Sequence, residues 1–97
     1  MLRHVVLFDL RDDAIDADVD AAVAGLRGLV KSVDAVIALT AGRDAGLAGG
    51  NAGIALVVDV ADANGWRAYQ DHPEHVRVAT TLVRPVITGR TAAQHLL

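Results

Sequence analysis

Residues that could carry out chemistry are concentrated in the stretch AYQDHPEHVRVA, from Ala68 to Ala79. It holds Tyr69, the only tyrosine of the chain, and two of the four histidines, His72 and His75. A histidine with a pKa near its ordinary value can remove a proton from a carbon next to a carbonyl group, and a tyrosine hydroxyl can stabilise the enolate that forms. Tyr69 and His75 are therefore the candidate catalytic pair. The alternative is that both only pack or satisfy backbone groups at a helix junction.

The pair His72 and His75 also suggests a metal site, because a glutamate lies between them. Zinc sites need three or four ligands, and two histidines on one helix face are normally four residues apart. We therefore predict no metal. His72 directly precedes Pro73, which favours an extended backbone and a capping role at the start of a helix.

The remaining chemical candidate is His4, which lies in the strand-like segment LRHVVLFDLR. Alternation along a strand places His4 on the same face as the apolar Val6 and Phe8. A histidine in such surroundings needs a polar partner from the protein, from water or from a ligand. His4 is thus a third candidate catalytic residue, and a satisfied core histidine is the alternative.

Composition narrows the classes of partner. The 97 residues predict a single domain, 1–97, and the net charge of −3, with arginines scattered along the chain, offers no basic surface for nucleic acid. There is no cysteine, and no apolar run is long enough for a secretion signal or a membrane span. The glycine-rich loop GRDAGLAGGN lacks the residues and context of a nucleotide-binding loop, so no cofactor is predicted. We expect a cytoplasmic protein.

The elements that must position the candidate residues follow from hydrophobic periodicity and from turn and cap signals. The predicted elements are a strand at Leu2–Arg11, a helix from an N-cap at Asp16 to about Val33, strands at Ala35–Gly42 and Gly53–Val60, a short helix capped by Asp62, a helix from Pro73 to about Leu82, and a short strand at Val86–Arg90. The tail TAAQHLL either docks on a neighbour or frays.

The order β-α-β-β-α-β predicts an α+β, ferredoxin-like fold, with an antiparallel four-stranded sheet and helices on one face. The first and third strands carry apolar residues on both faces, so something must also cover the second face. In a chain this short the simplest cover is the sheet of a second copy, which predicts a homodimer. We predict that His4 points toward this dimer face.

The stretches HVVLF on the first strand, GIALVVDV on the third and YQDHPEHV at the helix junction resemble the stress-responsive dimeric α/β barrel (Dabb) domain family. The resemblance covers nearly the whole chain. It implies a homodimer in which two sheets close into a dimeric α+β barrel, with the helices outside and a cavity in each half.

One plant branch of that family is a polyketide cyclase that performs a cofactor-free aldol condensation. The resemblance implies that His75 is the base, that Tyr69 orients it and that His4 is a pocket histidine. A further cavity histidine of the cyclase is replaced here by aliphatic residues within GIALVVDV, which sets this chain apart from that enzyme.

The function implied by this resemblance is binding of a small hydrophobic ligand, polyketide-like or an aromatic carbonyl compound, with cofactor-free cyclase or lyase chemistry. Two alternatives stay open. One is a dimer that binds a ligand or protects against stress without turnover, and the other is a cofactor-independent monooxygenase of the same fold.

Overall fold

The computed structural model describes all 97 residues. Its elements in chain order are β1 (Leu2–Leu10), α1 (Asp16–Ser32), β2 (Ala38–Arg43), β3 (Ile54–Val60), α2 (Ala63–Asp71), α3 (Pro73–Val78), a π-helical turn (Ala79–Val83), a 3₁₀ turn (Arg84–Val86) and β4 (Ile87–Leu96). None of the helices is both long and apolar enough to cross a membrane.

The four strands form one antiparallel sheet in the order β2-β3-β1-β4, which confirms the predicted ferredoxin-like arrangement. The helices lie on one face of this sheet, where alternate residues of the two central strands are buried, such as Val6 and Phe8 on β1 and Leu56 and Val58 on β3. They pack against the apolar stripe of α1, which buries Val19, Ala22, Val23, Leu26 and Leu29. The hydrophobic core is therefore a single layer between sheet and helices.

The opposite face of the sheet has no cover within the chain. On β1 this open face carries Val5, which is half-buried, and Leu7, which is 44% exposed. Arg3 on β1 forms a bidentate ion pair with Asp59 on β3 across this face, with N···O distances of 2.9 and 3.0 Å.

Two sequence predictions are wrong in detail. The tail does not fray, because β4 continues to Leu96 and pairs with β1 as far as Leu2. The N-cap of α1 is Ile15, without a side-chain cap, and Asp16 is the first helical residue. The Asp16 carboxylate accepts a hydrogen bond from Arg43 at 3.2 Å, so it connects α1 to β2 instead of capping the helix.

The junction between α2 and α3 fixes the candidate pair. Asp62 caps α2 as predicted, because its carboxylate accepts a hydrogen bond from the amide of Gly65 at 2.9 Å. His72 ends α2 and caps α3, since its Nδ1 accepts from the amide of Glu74 at 3.0 Å, and Pro73 opens α3. The capping role predicted for His72 is confirmed, and the sharp turn lets residues of α2 and α3 face one another.

Candidate functional site

A cavity of about 330 Å³ lies between the sheet and the helices. Its wall is mostly apolar, with contributions from β1, β3, α1, α2 and the π-helical turn; the hydrophobic lining is Val6, Phe8, Leu26, Leu56, Tyr69, Ala79, Val83 and Ile87. The polar lining is His4, Gln70, His75, Arg84 and Arg90. All three residues predicted as catalytic thus line one cavity, and no carboxylate does.

Tyr69 is the centre of this group. Its side chain is fully buried, and its hydroxyl has no hydrogen-bond partner in the chain. The ring lies 4.5 Å from the ring of His75 and 6.4 Å from that of His4, measured between centroids. No direct hydrogen bond joins Tyr69 and His75. The hydroxyl is therefore an unsatisfied polar group in a residue that lines the cavity.

His75 is held on α3 with a defined tautomer. Its Nδ1 lies 3.0 Å from the carbonyl oxygen of Gln70, which can only accept a hydrogen bond, so Nδ1 carries the proton. The other nitrogen, Nε2, then keeps its lone pair when the ring is neutral. This is the state in which a histidine acts as a base.

His4 is oriented by β4. The amide nitrogen of Gln94 lies 3.0 Å from its Nδ1, and an amide NH₂ group can only donate, so neutral His4 carries its proton on Nε2. His4 is 3% exposed and contacts the rings of Trp66 and Tyr69 edge-on. It therefore lies on the helix-covered face of the sheet, and the prediction that it points toward the dimer face is wrong. Alternation along the strand correctly placed His4 beside Val6 and Phe8, but it does not show which face of the sheet the helices cover.

The electrostatics favour neutral histidines. Burial lowers the pKa of both His4 and His75 below the ordinary 6.5, and the positive charge of Arg90 lowers the pKa of each further. The hydrogen bond to Gln70 opposes this shift at His75 without reversing it. Burial raises the pKa of Tyr69 to about 12, so its hydroxyl keeps the proton at neutral pH.

Sequence reasoning missed the two arginines of the cavity. Arg84 belongs to the 3₁₀ turn, and Arg90 stands opposite Phe8 on the edge strand β4, on the helix-covered face. Both are exposed at the rim. The one signal in the sequence is that no Asp or Glu follows Glu74, so neither arginine has an acidic neighbour along the chain.

Other candidates lie outside the cavity. His72 is used as a cap, and no three His, Asp or Glu side chains are close enough together to hold a metal ion. Trp66 packs against the core, and its indole nitrogen is buried without a partner, but the ring does not line the cavity.

The ferredoxin-like sheet, with its cavity beneath the helices and an open opposite face, defines a protein of the ferredoxin-like α+β class. The chain matches the model of the stress responsive A/B barrel domain over residues 2–94, and it belongs to that family. No curated protein matches the sequence significantly.

Several solved structures share the fold. A dimeric ferredoxin-like protein of unknown function from Thermobifida fusca is 33% identical, with a TM-score of 0.90 over 99% of this chain and 90% of that one. A hydroxynitrile lyase from Passiflora edulis is 13% identical, with a TM-score of 0.84 over 99% and 92%. A cofactor-independent oxygenase from Streptomyces nogalater is 14% identical, with a TM-score of 0.75 over 99% and 91%.

Proposed function

We propose that this protein binds a small organic carbonyl compound in the cavity and moves a proton on it without a cofactor. The observation that carries the proposal is the hydroxyl of Tyr69, buried without a partner near two oriented histidines in a mostly apolar pocket. A buried polar group without a partner is costly, and such groups are common where a ligand completes the site.

The three side chains are suited to different parts of one step. His75 takes the proton from the carbon next to the carbonyl through Nε2, and the electron pair of that C–H bond moves toward the carbonyl oxygen to form an enolate. Tyr69 donates its O–H to that oxygen, and His4 offers a second donor through its Nε2–H. Returning the proton from His75 to the product restores the site.

Two comparisons support chemistry of this kind. By their names, one protein of the same fold is a hydroxynitrile lyase and another is an oxygenase that needs no cofactor. These similarities concern the fold, so the identity of the substrate here rests on the cavity itself.

We also propose that the working form is a homodimer that packs through the open sheet face. Apolar residues on that face, among them Leu7 at 44% exposure, need cover, and the similar Thermobifida fusca protein is dimeric. The cavity lies on the other side of the sheet, so each subunit keeps its own site.

Deuterium exchange tests the proposed step. Phenylacetone, an aromatic ketone with acidic methylene protons, is incubated with the protein in D₂O, and loss of the methylene proton signal is followed by NMR. We expect exchange faster than in buffer. His75→Gln should lower this rate by about 10² to 10⁴-fold, as expected for loss of a general base. Tyr69→Phe should lower it by about 10² to 10³-fold, as expected for loss of an oxyanion donor.

His72→Asn is the matched control, because asparagine keeps the helix cap and His72 lies outside the cavity. This variant should exchange at the unaltered rate. Phenylacetone that shifts the NMR signals of cavity residues without exchanging would support the alternative, a dimer that binds without turnover. Exchange that survives in His75→Gln would remove His75 from the proposed role.

A further inference from the structure

We infer that the natural ligand of the cavity is an organic acid, with its carboxylate bound by Arg90 at the rim and Arg84 as a second cation beside it. The inference deepens the proposed function and rests on it in one respect, namely that the cavity holds a small molecule. It goes beyond that function because it assigns the ligand a charge and an orientation.

The first argument is the state of the eight arginines of the chain. Six of them donate a side-chain hydrogen bond to an oxygen of the protein; the pairs are Arg3 with Asp59, Arg11 with Asp13, Arg27 with the Ala41 carbonyl, Arg43 with Asp16 and Asp20, Arg67 with Asn64, and Arg77 with Glu74. The two arginines without such a partner are Arg84 and Arg90, and both line the cavity.

The second argument is the charge of the cavity as a whole. No Asp or Glu lines it, although the chain has twelve of these residues and is negative overall. Every side chain there that changes or carries charge near neutral pH is basic. An anion is the ligand type that such a pocket attracts, and a guanidinium group binds a carboxylate through two parallel hydrogen bonds.

The third argument is the hydroxyl of Tyr69, which is fully buried, lines the same cavity and lacks a partner. An unsatisfied polar group therefore lies at the inner part of the pocket. The ligand therefore needs one polar group for the rim and another for the interior, joined by an apolar part that suits the aliphatic wall.

The sheet register gives the ligand its direction. Arg90 stands opposite Phe8, and His4 is four residues away along β1 on the same face, which is about 13 Å of strand. The carboxylate end therefore lies at the Phe8 end of β1, on the solvent side. The carbonyl end points inward to Tyr69, His75 and His4.

Binding of matched acid and amide probes tests the inference. Benzoate and its neutral counterpart benzamide, and likewise hexanoate and hexanamide, are titrated into the full-length protein while the amide NMR signals of cavity residues are followed. We expect each acid to bind at least about tenfold more tightly than its amide, because only the acid forms the charged contact. Arg90→Gln should weaken binding of the acid by at least about tenfold and leave the amide unchanged.

Arg67→Gln is the control variant, because Arg67 is exposed and bonded to Asn64 outside the cavity. It should bind all four probes like the original protein. Arg84→Gln should weaken the acids as well, by a smaller factor than Arg90→Gln. The amide spectrum of each variant also verifies that it is folded.

Equal binding of acid and amide, an effect of Arg90→Gln below about twofold, or no binding of either acid would overturn the inference. The exchange experiment with phenylacetone, a neutral ketone, judges the proposed function separately. If ketone exchange depends on His75 but acid binding does not depend on Arg90, the proposed function is supported and the acidic ligand is refuted. Acid binding at Arg90 without any ketone exchange would leave an acid-binding protein without the proposed chemistry.

Discussion

Replacing Tyr69 by Phe is expected to make the ligand-free protein more stable, although it removes a group proposed to be catalytic. The ring is fully buried and the hydroxyl has no partner, so the folded state carries the cost of an unsatisfied buried polar group. That cost is about 1 to 3 kcal/mol in proteins. We take the lower end of that range, about 1 kcal/mol, as the expected gain. For a chain of this size this corresponds to a rise in Tm of about 4–8 °C.

Urea unfolding at one fixed protein concentration measures this change, with the fluorescence of Trp66, the only tryptophan, as the signal. Tyr69→Ala serves as the contrast, because it also removes the ring and should cost about 3–5 kcal/mol. If the hydroxyl serves function and not stability, Tyr69→Phe should be more stable than the original protein and should also exchange the protons of phenylacetone more slowly. A loss of stability beyond about 0.5 kcal/mol in Tyr69→Phe would mean that the hydroxyl makes a structural hydrogen bond, and the reasoning would be wrong.

Two further predictions concern assembly and pH. Sedimentation at micromolar concentration should give about twice the chain mass of 10.1 kDa, and Leu7→Asp on the open sheet face should yield a folded monomer. Val30→Asp, at a similarly exposed position on α1, should stay dimeric; a folded monomer of the original sequence would refute the dimer. Burial and Arg90 lower the pKa of His4 and His75 below 6.5, so at acidic pH the unfolded chain binds more protons than the folded one. The stability that these histidines contribute should therefore be complete above about pH 6.5. It should fall as the pH drops through their pKa values in the folded protein. Urea unfolding at about pH 5 and pH 7.5 should show this loss, and it should shrink when both histidines are replaced by Gln; an unchanged loss would assign it to other groups.

The order of the elements and the junction that holds the candidate pair could be predicted from the sequence. These features depend on local physics. Asp62 can cap a helix wherever it stands, and Pro73 forces an extended residue before it and opens a helix after it. The alternation along β1 likewise placed His4 with Val6 and Phe8, because side chains of a strand alternate regardless of what packs on them.

The face of β1 that the helices cover could not be predicted from the sequence and depends on how the elements pack. Both faces of that strand carry apolar residues, so the hydrophobic pattern does not distinguish the core face from the dimer face. The prediction therefore placed His4 on the wrong face of the sheet. The length of β4 also depends on tertiary structure. TAAQHLL has no strong strand pattern in its sequence and is held by backbone hydrogen bonds to β1. Such bonds depend on the partner strand and not on the side chains.

The charge of the cavity was decided in the same way. Arg84 and Arg90 have no acidic neighbour along the chain, but neither do Arg3 and Arg27, which find their partners, Asp59 and the Ala41 carbonyl, only after folding. The tautomers of His4 and His75 depend on Gln94 and a carbonyl oxygen, contacts that no spacing in the sequence encodes. The chemical side chains could be read from the sequence, but the direction of each one, and the arginines left free for an anion, arise from packing between distant segments.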